Sequence, residues 1–96
     1  MSEQKYFVRV IDHAHYMEEG GEYSGGEFEN RGEAEKKCRE IIDRSLDELF
    51  AFDISEEDLL KHFLLYGEEA SCEGFESEKY IKARCHELVA EKHVLK

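Results

Sequence analysis

The chain has 96 residues, with 24 acidic and 13 basic side chains and a formal net charge of −11. Its length fits one hydrophobic core, so we expect residues 1–96 to form a single domain. The acidic excess argues against nucleic-acid binding, because such interfaces need Lys and Arg to displace the counterions of the phosphates.

Cellular location is indicated by what the sequence lacks. No apolar run approaches the roughly 18 residues that a membrane-spanning helix needs, and the first residues show no hydrophobic signal region. The chain has three cysteines, an odd number that fits reduced thiols better than a disulfide framework. These features predict a cytoplasmic protein that does not associate with a membrane.

The first predicted element is a strand over residues 6–11, where aromatic and β-branched side chains suit a pleated, partly buried surface. Apolar groups fall on both of its faces, which favours a central position in a sheet. Gly20 and Gly21 can adopt the positive φ of a hairpin turn, after which the chain returns as far as Phe28. The small residues at 24–26 predict a bulge or a looser stretch in the returning strand, and a mobile loop is the alternative to the hairpin turn.

A long helix is predicted over residues 32–50. Asn30 followed by Glu33 resembles a capping box, in which each residue satisfies a free backbone N–H of the first turn. Apolar side chains then recur at helical spacing. They are Ala34, Cys38, Ile41, Ile42, Leu46 and Leu49.

A second helix is predicted to start after Ser55, which forms another capping signal with Asp58. Ile54 and Leu59 have the spacing of a hydrophobic staple, and Gly67 stands where a glycine ends many helices. The apolar residues assigned to this helix are Leu59, Leu60, Phe63 and Leu64.

The chain nearly repeats itself at the entries to the first helix and to a last helix that starts near Ser77. Residues 28–30 (Phe-Glu-Asn) are matched by residues 75–77 (Phe-Glu-Ser), and Cys38 is matched by Cys85 at the same offset. Each copy predicts an aromatic residue closing an extended segment, a helix N-cap residue and a buried cysteine. Duplication and convergence of two junctions both explain the match.

Together these elements predict an α+β fold, with an N-terminal β-hairpin and three helices packed against it. A short third strand within residues 68–75 is possible, because the repeat favours an extended entry into the last helix. Helices packed on such a sheet would share one core.

His13 and His15 are the sharpest candidates for chemistry. Residues two apart in a strand point to the same side, so the two imidazoles would together supply half of a divalent-metal site. Two ligands do not fix a site, and a polar strand end or loop explains the same pattern. We therefore expect no cofactor and keep metal binding through His13 and His15 as an alternative.

Catalytic residues are not indicated. Cys85 and His86 are helix neighbours that diverge by about 100°, so they cannot pair. Cys72 is the likeliest exposed thiol, but the negative charges around it would disfavour the thiolate form and make it less reactive. The glycines follow no phosphate-binding pattern. We therefore predict a protein that is not an enzyme.

Aromatic and Met side chains flank the glycine-rich turn. Tyr16, Met17 and Tyr23 have the character of interface anchors, although the same residues often pack under a hairpin and complete the core. Together with His13 and His15 they form the predicted binding region. This pattern favours a protein partner.

The hairpin also resembles a family of small bacterial proteins of unknown function. The resemblance rests on Asp12, on residues 15–18 (His-Tyr-Met-Glu), and on the later Ala34 and Cys38 at the start of a helix. A turn of the Phe-Gly-Glu-Asp type corresponds to residues 66–69 (Tyr-Gly-Glu-Glu). The resemblance implies a single bacterial domain and brings no activity, and the similarity ends after Glu69.

The sequence thus predicts an acidic cytoplasmic accessory or interaction protein that uses the hairpin region from His13 to Tyr23. Metal binding is one alternative. The other is an acidic immunity-like protein or nucleic-acid mimic that inhibits a basic enzyme, since an excess of acids complements such a partner.

Overall fold

A computed structural model describes residues 5–15, 21–51 and 53–94. It contains three strands and three helices, which confirms the α+β fold with an N-terminal hairpin. The strands are β1 (Tyr6–Asp12), β2 (Glu22–Phe28) and β3 (Glu68–Ser71). The helices are α1 (Arg31–Leu49), α2 (Glu56–Tyr66) and α3 (Ser77–Val94), and a 3-10 turn occupies His13–His15.

The sheet is antiparallel with the order β2-β1-β3, so β1 is central as predicted. Alternation along β1 buries Val8 and Val10 on one face and leaves Phe7 59% exposed on the other. Lys5 and Arg9 form ion pairs with acids of β2. One face of the sheet therefore carries the core, and the face of Phe7 is open to solvent.

The predicted bulge in β2 is confirmed at Gly25. Val8 pairs with Gly26 and Arg9 pairs with Ser24, so the register shifts by one residue between them. A Cβ atom at Gly25 would lie 2.5 Å from Cγ1 of Val8. The bulge thus brings the backbone against the core, and only glycine fits at that point.

Helix α1 covers the inner face of the sheet. Its N-cap is Asn30, whose Oδ1 accepts a hydrogen bond from the backbone N–H of Glu33 at 2.8 Å. The helix contacts each of the three strands and both of the other helices. Its buried residues are Ala34, Cys38, Ile41, Ile42, Ser45 and Leu46.

Helix α2 begins as predicted, because the Ser55 hydroxyl accepts from the backbone N–H of Asp58 at 3.1 Å. Gly67 ends the helix with a φ of −84°, which any residue can adopt. The helix thus ends at Gly67 as predicted, but not because the backbone there needs a positive φ. A Cβ atom at this position would lie 2.6 Å from Cδ2 of Phe63, so close packing explains the glycine.

The near repeat is confirmed at the core and fails at one cap. Cys38 and Cys85 are 0% and 1% exposed, at matching positions of α1 and α3. The repeat predicts Ser77 as an N-cap residue like Asn30. Instead Ser77 is the first residue of α3, and its hydroxyl donates to Oε2 of Glu69 at 2.8 Å. Here a contact with β3 replaces the capping bond.

None of the helices in the described part of the chain is both long enough and apolar enough to cross a bilayer.

Candidate functional site

His13 fastens the end of β1 to the α2–β3 junction. Its backbone N–H donates to the carbonyl oxygen of Gly67 at 2.9 Å, and its Nε2 lies 3.0 Å from Oε1 of Glu69. The imidazole also meets the ring of Phe63 edge to face, with 6.2 Å between centroids. The side chain is only 19% exposed, so it acts here as a packing and hydrogen-bonding residue.

The strand geometry predicted for His13 and His15 is wrong. The backbone of residues 13–15 forms a 3-10 turn and not an extended strand, so the strand periodicity behind the prediction does not apply. Within residues 5–15, 21–51 and 53–94, no group of three or more His, Cys, Asp or Glu side chains is arranged to hold a metal ion. The predicted anchors Tyr16 and Met17 lie outside the described residues.

Tyr23 lies on β2, with its ring half-exposed and its hydroxyl engaged. The hydroxyl donates to Oε2 of Glu68 at 2.5 Å, and the backbone N–H of Glu68 donates to the hydroxyl of Ser45 at 2.9 Å. Partial burial, and then the bond to Glu68, raises the pKa of Tyr23 to about 12. Tyr23 therefore links β2 across the sheet to β3 and α1.

Among the described residues, the large exposed apolar side chains outside the sheet lie at the end of α2. Leu64, Leu65 and Tyr66 are 49%, 50% and 61% exposed. The sequence placed Leu64 in this helix, which is confirmed, but did not indicate that its side chain is half-exposed. A clue lies in residues 63–66 (Phe-Leu-Leu-Tyr), since four consecutive apolar residues cover more of a helix than one face.

A small groove runs between α2 and α3, and Leu64 forms part of its wall. We call it the α2–α3 groove. Its volume is about 150 Å³, well below the roughly 300 to 1,000 Å³ of typical small-molecule sites. Its size suits one or two side chains of another protein. The lining residues are Leu60, Leu64, Glu69, Glu78, Ile81 and Lys82.

Glu69 places a charged group in this apolar groove. Oε1 is 3.0 Å from Nε2 of His13, and Oε2 accepts from the hydroxyl of Ser77 at 2.8 Å. The carboxylate is therefore fixed from two directions, by the 3-10 turn and by α3. Each of its oxygens has a second lone pair, so both can accept one more hydrogen bond.

The order of these three groups does not match a nucleophile activated by a base. Activation of a serine requires its hydroxyl to donate to an imidazole that a carboxylate orients. Here Glu69 stands between Ser77 and His13, and the hydroxyl donates to the carboxylate. The arrangement instead presents an oriented negative charge.

The thiols of Cys38 and Cys85 are poorly reactive. Burial, and then a hydrogen bond with Cys72, raises the pKa of the Cys38 thiol to about 12. Burial, and then the charge of Glu56, raises the pKa of Cys85 to about 11. Both thiols therefore stay protonated near neutral pH, and a thiol is a poor nucleophile in that form.

Comparison of the chain with protein-family models, with curated proteins and with solved structures finds no match in any of the three. The resemblance to a bacterial family therefore stays a prediction.

Proposed function

We propose that the protein is a cytoplasmic, non-enzymatic interaction module that binds an apolar segment of a protein partner in the α2–α3 groove. One observation carries the proposal. Leu64 is 49% exposed and lines a groove together with Leu60 and Ile81, at a place where burial of its side chain would be favourable.

Charge indicates the kind of partner. The groove holds Glu69 and Glu78 against one basic residue, Lys82, and the whole chain carries a net charge of −11. A second copy would be repelled by the same charge. A partner segment with apolar anchors and a basic face is attracted, so we assign the groove to such a segment.

The predicted hairpin site contributes to this groove indirectly. His13 lies behind the groove, where its ring packs on Phe63 and its Nε2 holds Glu69. The Tyr23 hydroxyl binds Glu68, the residue before Glu69 in β3, and does not contact Glu69 itself. The binding surface that we propose therefore lies next to the end of β1, and it uses His13 as a support.

A peptide titration tests the proposal. Two capped, alanine-based helical peptides would carry the same pair of leucines one turn apart, with either lysine or glutamate on the polar face. We expect the lysine peptide to shift the methyl NMR signals of Leu60, Leu64 and Ile81, and to bind at least about fivefold more tightly than the glutamate peptide.

Leu64→Gln and Leu65→Gln form a matched pair of variants, because both leucines are about half exposed on α2 and only Leu64 lines the groove. We expect Leu64→Gln to weaken binding of the lysine peptide about tenfold and Leu65→Gln to change it less than about twofold. Equal effects of the two variants, or no binding of either peptide, would contradict the proposal.

The alternative of an acidic immunity-like protein or nucleic-acid mimic predicts a different result. Its binding would depend on many surface charges and little on Leu64. A complex with a basic protein that weakens steeply with salt, and that Leu64→Gln leaves unchanged, would favour this alternative.

A further inference from the structure

We propose that Glu69 is the specificity residue of the α2–α3 groove, and that it receives the cation of one lysine or arginine side chain of the partner. The inference rests on the proposed function and names the group that the groove recognises. The partner side chain would lay its aliphatic stem along Leu60, Leu64 and Ile81 and place its charge on the Glu69 carboxylate.

The first feature that suits Glu69 to this role is the orientation of its carboxylate. Glu69 is held by His13 at 3.0 Å and by Ser77 at 2.8 Å, from two different elements of the fold. Its rotamer is therefore fixed before a partner arrives, and little side-chain entropy is lost on binding. The second lone pair of each oxygen stays available to a new donor.

The second feature is the partial burial of the Glu69 carboxylate. The Glu69 side chain is 23% exposed, whereas the nearby Glu78 side chain is 81% exposed. A charge that is partly withdrawn from water forms stronger hydrogen bonds with a charged donor than a charge on the open surface does. Glu69 is therefore the better anchor of the two carboxylates in the groove.

The third feature is that Glu78 and Lys82, the other charged residues of the groove, pair with each other. Lys82 Nζ lies 3.1 Å from Oε1 of Glu78, one turn away on α3. Glu69 is bound by the imidazole of His13 and the hydroxyl of Ser77 but, among the described residues, by no lysine or arginine. Lysine and arginine suit such a place because they pack apolar stems while their charged ends keep polar partners.

Two peptides that differ in a single charge test the inference. Both are capped, alanine-based helices with leucines at positions i and i+4; one has lysine at i+8 and the other has the uncharged norleucine. We expect the lysine peptide to bind the wild-type protein about fivefold more tightly at low salt. Glu69→Gln should reduce this ratio to about one while the norleucine peptide binds as before.

Glu78→Gln is the matched control, because it removes the same charge from the same groove. We expect it to keep the preference for lysine within about twofold. Equal binding of the two peptides to the wild-type protein would overturn the role of Glu69 and leave the proposed function intact. If the norleucine peptide does not bind, or if Leu64→Gln leaves its binding unchanged, the proposed function is wrong. This inference is then wrong as well.

Discussion

The hydroxyl of Tyr80 donates to Oδ1 of Asp43 at 2.7 Å and thereby joins α3 to α1. Arg84 Nε binds the same oxygen at 3.1 Å. The ring of Tyr80 also lies against the ring of Phe75, with 5.7 Å between centroids. These contacts tie to α1 the helix that contributes Glu78, Ile81 and Lys82 to the α2–α3 groove.

Loss of the Tyr80 hydroxyl should destabilise the protein modestly. In Tyr80→Phe the ring keeps its packing and Asp43 keeps Arg84 as a partner, so we expect the free energy of unfolding to fall by about 1 kcal/mol. Urea unfolding at neutral pH would measure it. A loss above about 3 kcal/mol would show that the hydroxyl supports more than this one bond.

Stability should also fall at alkaline pH, through two tyrosines. Burial, followed by bonds to Glu68 and Asp43, raises the pKa values of Tyr23 and Tyr80 from 10.0 to about 12. The folded state therefore holds these protons more firmly than the unfolded state does. The resulting stability is complete below about pH 10 and is lost as the pH rises toward 12.

Urea unfolding between pH 8 and 12, compared among the wild type, Tyr23→Phe and Tyr80→Phe, would test this pH dependence. Each variant should show a shallower decline than the wild type over that range, because it lacks one of the two titrating groups. Identical slopes in all three proteins would contradict the assignment.

Gly25 should tolerate no side chain. In Gly25→Ala the new methyl group would lie 2.5 Å from Cγ1 of Val8 and 3.1 Å from Cγ2 of Val10, so we expect a loss of about 1 to 3 kcal/mol. Gly32→Ala is the control, because its Cβ atom would meet only Asn30 Oδ1, at 3.4 Å, in the first turn of α1. We expect that substitution to be neutral or stabilising. Thermal unfolding of both variants checks the contrast.

Local signals in the sequence predicted most of the fold. The caps at Asn30 and Ser55 act within four residues, and the bulge at Gly25 follows from a run of small residues in a strand. These features depend on backbone geometry that neighbouring residues determine. The caps and the bulge could therefore be predicted without knowledge of the tertiary structure.

The candidate site could not be predicted from local patterns in this way. Glu69 contacts His13, which lies 56 residues away in the sequence. Ser77 donates to the same carboxylate and does not act as the predicted N-cap. The exposure of Leu64 depends on how far α3 covers α2, which no local pattern fixes. The Glu69–His13 contact, the Ser77–Glu69 bond and the exposure of Leu64 all depend on tertiary structure. The groove therefore could not be predicted from local sequence patterns.

Neighbouring residues of α2 should differ sharply in their contribution to stability. Phe63 is 0% exposed and Leu64 is 49% exposed. We expect Phe63→Ala to cost about 3 to 5 kcal/mol, a large part of the stability of a small domain, and Leu64→Ala to cost less than about 1 kcal/mol. Denaturant unfolding measures both. Comparable losses would mean that Leu64 is a core residue, and the groove would then lose its exposed wall.

The three thiols should react with an aromatic disulfide reagent in a fixed order. Cys72 is partly exposed, whereas Cys38 and Cys85 are buried and burial raises their pKa values to about 12 and about 11. We therefore expect Cys72 to be modified first in the native protein at neutral pH, and the other two to react only when the chain opens. Cys72→Ser is the control, and it should remove the fast phase while all remaining thiols still react in denaturant. Rapid modification of Cys38 or Cys85 under native conditions would contradict their shared place in the core, because a thiol packed between α1, α3 and the sheet is shielded from a bulky reagent.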